Sequence, residues 1–147
     1  MARPHRTPPP QVNPEEQSEA FQRVRADHQS EIAEDYVELI ADLIDCSGEA
    51  RGTDIAQRLG VSTATVVKTL RRLQEDGLVA QEPYRAIFLT TSGRKLAEEG
   101  RRRHRIVEDF LLAIGVPAET ARIDSEGIEH HVSAETLAAM ARYLERK

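Results

Sequence analysis

Residues 53–79 read TDIAQRLGVSTATVVKTLRRLQEDGLV. Ile55, Ala56 and Leu59 recur at helical spacing, Gly60 closes that helix, and Val61-Ser62 leaves only a tight connection. Ser62 is a good N-cap for a second helix, Thr63 to Asp76, which turns Val66, Leu70 and Leu73 inward and is stopped by Gly77. Thr65, Lys68, Thr69 and Arg72 fall at i, i+3, i+4 and i+7, so they form one stripe, and none is acidic. A short helix, a Gly-containing turn and a second helix is the arrangement that lays a helix in the DNA major groove. Thr63, Thr65 and Lys68 are spaced to reach base edges, and Ser62 caps a helix N-terminus suited to phosphate. Arg71 and Arg72 are better placed for the DNA backbone.

The flanks extend this reading. Leu78-Val79-Ala80 and Ala86-Ile87-Phe88-Leu89 predict a two-stranded hairpin, with Pro83-Tyr84-Arg85 as its turn and Arg85 as a further phosphate contact. A helix-turn-helix followed by a hairpin is a winged helix-turn-helix. Upstream, a short helix spans Glu49 to Gly60. Before it, Phe21, Val24, Ile32, Tyr36, Leu39, Ile40 and Leu43 predict helix from Pro14 to Cys46, with His28–Ser30 as the expected break if there are two. Residues 1–14 hold five of the seven prolines and read as a disordered tail. Downstream, the Thr91-Ser92 cap opens a helix from Gly93 to Ile114, and two more follow at Ala118–His131 and Ala134–Arg146. The expected fold is mainly α: a tail (1–14), a winged helix-turn-helix domain (15–98) and a helical domain (99–147).

The chain has 147 residues with 4% aromatics, no Trp and one Cys. A single Cys excludes a disulfide framework and a Cys-based zinc finger. No apolar run approaches the roughly 20 residues of a membrane span, and the start has no apolar stretch of a secretory signal, so a cytoplasmic location is expected. The net charge of −5 taken whole argues against a polyanionic partner, but it is segregated. Residues 1–50 carry net −7, residues 51–105 net +6 and residues 106–147 net −4. The local field, which steers a polyanion, is therefore positive around the helix-turn-helix.

A second constellation is acidic. Asp35 and Glu38 are three residues apart on the first helix. Glu126, Glu129 and His130, within EGIEHH, share one face of a later helix at i, i+3 and i+4. His104 lies on the long helix between them, with Glu108 one turn on as a ligand, a partner of His104 or a solvated residue. Carboxylates and imidazoles projecting from facing helices build carboxylate-bridged dinuclear metal sites. Four carboxylates that converge repel one another when empty, and two divalent cations would neutralise them. Oxygen-rich ligation with imidazole and no thiolate suits Mn²⁺ or Fe²⁺. Singly, each residue also fits a solvated helix face. It is the joint pattern that points to metal.

These stretches, EDYVELI, the helix-turn-helix, FLTTSG, RRRHRIVEDFLLAIGV and DSEGIEHHVS, match in order and spacing the diphtheria toxin repressor family of metal-dependent transcriptional regulators, which the chain resembles over about residues 30–140. The resemblance is to the manganese-responsive side of the family. It implies a metal site of Asp35, Glu38, His104, Glu126, Glu129 and His130 holding two Mn²⁺ ions per subunit, and no enzymatic activity. Iron-responsive members carry Met at the position of Asp35 and Cys at that of Glu126, and the carboxylates here favour manganese. Iron members also append an SH3-like domain, which is not expected here. Apolar residues after 105, among them Phe110, Leu112, Ile114, Met140 and Tyr143, exceed the needs of one small lobe and predict a homodimer on a palindromic operator. No membrane and no small-molecule substrate is expected. Three competing readings remain: an iron-responsive regulator, a winged-helix regulator sensing an organic ligand, and a dinuclear metalloenzyme. The second leaves the acidic cluster without a role, and the third leaves the basic helix without one.

Overall fold

A computed structural model describes residues 12–82 and 86–146. Six helices and one hairpin follow in the order α1 Pro14–Ser47, α2 Gly52–Leu59, α3 Thr63–Glu75, β1 Val79–Gln81, β2 Ile87–Leu89, α4 Thr91–Ala113, α5 Ala118–His131 and α6 Ala134–Glu145. Most of the expected tail, and Arg85 with the hairpin turn, lie outside the described residues. Helix begins at Pro14 as expected, so the boundary of the tail falls before it; Asn13 Oδ1 accepts from the Glu15 N–H at 3.0 Å.

Of the two alternatives, one helix or two with a break at His28–Ser30, the structure has the first. α1 runs unbroken for 34 residues to Gly48, whose φ of 82° ends it in a left-handed cap. No Pro or Gly interrupts it, and Ala, Glu, Gln and Arg hold the exposed positions. Its first half packs against nothing apolar. Phe21 and Val24, which fit the helical pattern, are exposed, and burial begins at Glu31.

The second half of α1 is shared between two cores. Tyr36, Ile40 and Leu43 join Ile55, Val66, Leu70, Leu73, Val79 and Ile87 in the winged-helix core. Val37 and Ala41 pack instead on Ala97 of α4. Each fully buried Ile, Leu or Val here contributes about 1.5–3 kcal/mol relative to exposure. Ionic contacts reinforce the α1–α4 seam: Arg101 Nη2 lies 2.5 Å from Asp42 Oδ1 and 3.2 Å from Asp45 Oδ2. These pairs are solvated, so they set geometry more than stability.

Ser62 caps α3 as expected, its Oγ accepting from the Thr65 N–H at 3.1 Å. α2 starts later than expected because Ala50 is extended, its carbonyl accepting from the Ile87 N–H at 2.9 Å. The cap of α4 is Thr90 rather than Thr91-Ser92. Thr90 Oγ1 accepts from the Gly93 N–H at 3.1 Å and donates to the Gly77 carbonyl at 2.6 Å, which ties the wing to α4. The hairpin is antiparallel with Val79 opposite Leu89; the first strand sits one residue later than expected, and the second starts one residue later but ends at Leu89 as expected.

Candidate metal centre and nucleic-acid interface

The helical phase of α1 places four carboxylates, Glu31, Glu34, Asp35 and Glu38, at i, i+3, i+4 and i+7, all partly buried. α4 brings His104 and α5 brings Glu126, Glu129 and His130 to the same place. All six residues singled out in the sequence converge. His130 Nε2 lies 3.1 Å from Asp35 Oδ1 and 3.4 Å from Glu129 Oε1. His104 Nδ1 lies 2.9 Å from Glu129 Oε2 and 3.9 Å from Glu126 Oε1. Donor atoms of His104, Glu126 and Glu129 lie within 4.8 Å of one another, and so do those of Glu31, Asp35 and His130. Glu38 lines the same cleft as His104 and Glu126. The floor is dry: the side chains of Glu129 and His130 are 0% and 2% exposed. The mouth is open at Asp35 and Glu126, 43% and 62% exposed.

The floor is also unsatisfied. Glu38 Oε1 and both oxygens of Glu129 are buried without a hydrogen-bond donor. Burial, with Glu129 and other carboxylates adding repulsion, pushes Glu38 up to about 7. Burial likewise pushes Glu129 up to about 7, against the pull of His104 and His130. His130 is displaced the other way. Burial disfavours its charge, but hydrogen bonds to Asp35 and Glu34 prevail and raise it to about 10. Buried acceptor-only oxygens beside two imidazoles are the donor set that a divalent cation of oxygen-and-nitrogen preference fits.

Four contributing residues escaped the sequence reading, Glu31 with its donor atoms beside Asp35 and His130 being the first. Gly100 of α4 faces Glu38, and a Cβ there would overlap the Glu38 carboxylate. Glu34 Oε2 lies 2.6 Å from His130 Nδ1, and Arg103 Nη2 lies 3.1 Å from the same oxygen. Glu34 could have been found from its phase with Glu38, four residues on. Gly100 and Arg103 carried no local signal. Glu108 lies 2.9 Å from His104 Nε2, the nitrogen opposite Glu129. Cys46 is exposed near the end of α1, away from this cluster.

Gly100→Ala is expected to keep the fold, since Ala favours helix over Gly by about 1 kcal/mol. It should nevertheless cost metal affinity, on the order of the 10–100-fold typical when ligand placement is disturbed. Calorimetric titration with Mn²⁺ beside a thermal melt checks both. Unchanged affinity would mean that the Glu38 carboxylate is free to move.

The α3 face is assembled as expected. Ser62, Thr63, Thr65, Lys68, Arg71 and Arg72 are all exposed. Arg72 is not free: its Nη2 donates to Gln29 Oε1 of α1 at 2.5 Å. Lys68 and Arg71 have no such contact with α1, and α3 lacks acidic residues in its first turn.

Beyond residue 105, Val107 and Leu137 are buried, while Leu112, Ile114, Ile123 and Tyr143 are 42–56% exposed. Among the described residues, no helix is long and apolar enough to cross a membrane.

Two family models match. One, iron dependent repressor, N-terminal DNA binding domain, covers residues 28–87, and the other, iron dependent repressor, metal binding and dimerisation domain, covers 90–146. The chain is 55% identical over 135 residues to the transcriptional regulator MntR of Escherichia coli O157:H7, covering 92% of this chain and 87% of that one. It is 54% identical over 135 residues to MntR of Salmonella typhimurium, covering 92% and 86%. Among solved structures it is similar to a manganese-dependent transcriptional repressor in complex with manganese, with a TM-score of 0.69 and 33% identity over 77% of this chain. It spans about half (52%) of that longer chain.

Proposed function

Because this chain belongs to the iron-dependent repressor family of transcriptional regulators, we propose that it is a cytoplasmic, manganese-responsive repressor, not an enzyme, which binds operator DNA as a homodimer when its interdomain site is loaded. The observation that carries the reading is the buried, donorless oxygens of Glu38 and Glu129 facing His104 and His130. The proposed ligands are Asp35, Glu38, His104, Glu126, Glu129 and His130. Two donor groups that meet at adjoining residues, His104 with Glu126 and Glu129, and His130 with Asp35 and Glu31, support two ions per subunit, with Glu31 a further oxygen beside the six. Carboxylates at 35 and 126 support manganese over iron.

Bound Mn²⁺ supplies the positive charge that lets these carboxylates stay ionised side by side. The protein does the rest. α1 belongs to the winged-helix lobe (15–98), while His104 and the EGIEHH acids belong to the second lobe (99–147). Ligands held together fix one separation of the lobes, and the spread of separations allowed by repelling carboxylates is lost. That shifts a population toward the DNA-competent arrangement, and by linkage DNA tightens metal binding equally. The exposed apolar residues at 112, 114, 123 and 143 support a twofold interface in the second lobe. It would present two α3 helices to successive major grooves of a palindrome. Thr63, Thr65 and Lys68 are the proposed base contacts. Ser62, Arg71, Arg72 and Arg85 are the proposed phosphate contacts.

The test is fluorescence anisotropy on manganese-transporter promoter DNA at fixed salt, in chelator and then with Mn²⁺, Fe²⁺ or Zn²⁺. Tight binding should require metal, with Mn²⁺ well ahead of Zn²⁺. Lys68→Ala should weaken it without changing Mn²⁺ affinity. Equal binding in chelator would turn the search toward an organic effector, and Fe²⁺ ahead of Mn²⁺ would make it an iron sensor.

A further inference from the structure

Each nitrogen of His130 has a different neighbour. Nε2 faces Asp35 and Glu129 at 3.1 and 3.4 Å, inside the proposed ligand set. Nδ1 faces Glu34 Oε2 at 2.6 Å, on the far side of the ring and outside that set. The imidazole is 2% exposed and Glu34 is 13% exposed, so water does not compete freely for this contact. Arg103 Nη2 is buried 3.1 Å from the same Glu34 oxygen, an ion pair rather than an aligned hydrogen bond, at the end of a side chain that is 19% exposed overall. Arg103 directly precedes His104, so one residue of α4 faces the site while its neighbour holds a carboxylate of α1 behind it.

We propose that Glu34 is a positioning residue: held by Arg103, its carboxylate accepts the Nδ1–H of His130 and keeps Nε2 directed at Asp35 and Glu129. An imidazole that binds metal through one nitrogen must carry its proton on the other. A fixed acceptor there selects the tautomer, sets the ring plane and raises the basicity of the ligating nitrogen. The Arg103 guanidinium lies against the same Glu34 oxygen that faces the ring, so it favours the orientation in which Glu34 meets His130 rather than the proposed ligand set. Glu34 thus ties α1, α4 and α5 together through a path that contains no metal, and the inference rests on His130 being a ligand.

Three variants separate the possibilities, each titrated with Mn²⁺ by calorimetry and loaded with diamagnetic Cd²⁺ for NMR. Glu34→Ala should lower Mn²⁺ affinity 10–100-fold, the usual cost of removing such a partner. The downfield, slowly exchanging Nδ1–H signal of His130 should vanish with it. Glu34→Gln retains an acceptor oxygen, so it should stay within a few-fold of the parent and keep that signal. His130→Ala should lose affinity more severely than either. If Glu34→Ala binds within threefold of the parent while His130→Ala fails, the positioning role is wrong and the ligand stands. If Glu34→Gln falls as far as Glu34→Ala and loses the Nδ1–H signal, an acceptor oxygen at this place does not suffice, and the positioning role assigned here is wrong. If His130→Ala binds normally, the ligand reading itself fails.

Discussion

Glu129→Gln should make the metal-free protein more stable and leave it unable to respond to Mn²⁺. Glu129 is buried, both of its oxygens lack donors, and it is pushed up to about 7. A carboxyl whose folded value exceeds its unfolded one destabilises the fold once it ionises. Each unit of displacement corresponds to about 1.4 kcal/mol, so at pH 8 the ionised group costs on the order of 2–4 kcal/mol. A neutral amide of the same shape removes that cost, and His130 keeps Glu34 and Asp35 as partners. For a chain of this size, 1 kcal/mol moves the melting temperature by about 2–4 °C, so a rise of about 5 °C or more is expected in chelator at pH 8. The rise should shrink near pH 5, where Glu129 is already protonated in the folded parent. The parent should gain about 2.7 kcal/mol at a hundredfold excess of Mn²⁺ over Kd, and the variant none. A variant that is less stable when metal-free and still shifted by Mn²⁺ would show that Glu129 is a structural acid.

The second large effect is on pH. Glu38 and Glu129 bind protons up to about 7 and His130 up to about 10, whereas a metal needs all three groups without the competing proton. The sign follows for both forms of the protein. The two carboxyls sit above their unfolded values, so their contribution favours the empty fold on the acid side and is lost as pH rises through 7. His130 also sits above its unfolded value, so its contribution is full below about 6.5 and is lost as pH rises through 10. Acid therefore favours the empty site. Each proton expelled on loading makes apparent Mn²⁺ affinity rise about tenfold per pH unit. The rise should be steeper than that below pH 7, where all three groups are protonated, and near tenfold per unit from 8 upward, where His130 alone remains. Titrations in two buffers of different ionisation enthalpy count the protons. No net release at pH 6.5 would contradict the assignment of these groups as ligands.

Much of the site could be read from the chain because helices turn sequence spacing into shared faces. Asp35 with Glu38, and Glu126 with Glu129 and His130, are local pairings that the 3.6-residue period alone brings together. Their convergence is tertiary, and charge and donor chemistry pointed to it. What stayed hidden was set by neighbours distant in sequence. Gly100 matters only because α4 crosses Glu38. Glu34 looked like one more acid until Arg103 and His130 closed on it. Thr90 outcompetes Thr91 and Ser92 as the cap because its hydroxyl also reaches the Gly77 carbonyl. The first half of α1 persists without a core because its residues favour helix, a propensity that apolar periodicity does not register.

From Glu31 to Ser47, α1 contains neither Gly nor Pro, and its faces are divided among the winged-helix core, the α4 seam and the carboxylate cluster. Such a rod transmits rotation without a hinge to absorb it. A twist that shifts Glu38 by a fraction of an ångström carries Ile40 and Leu43 through the same angle, and with them the winged-helix core that they share with Val66, Leu70 and Leu73 of α3. In the proposed mechanism this stiffness acts as gearing: the lobe separation that metal would fix at one face of the helix is passed to the core on another without being absorbed along the way.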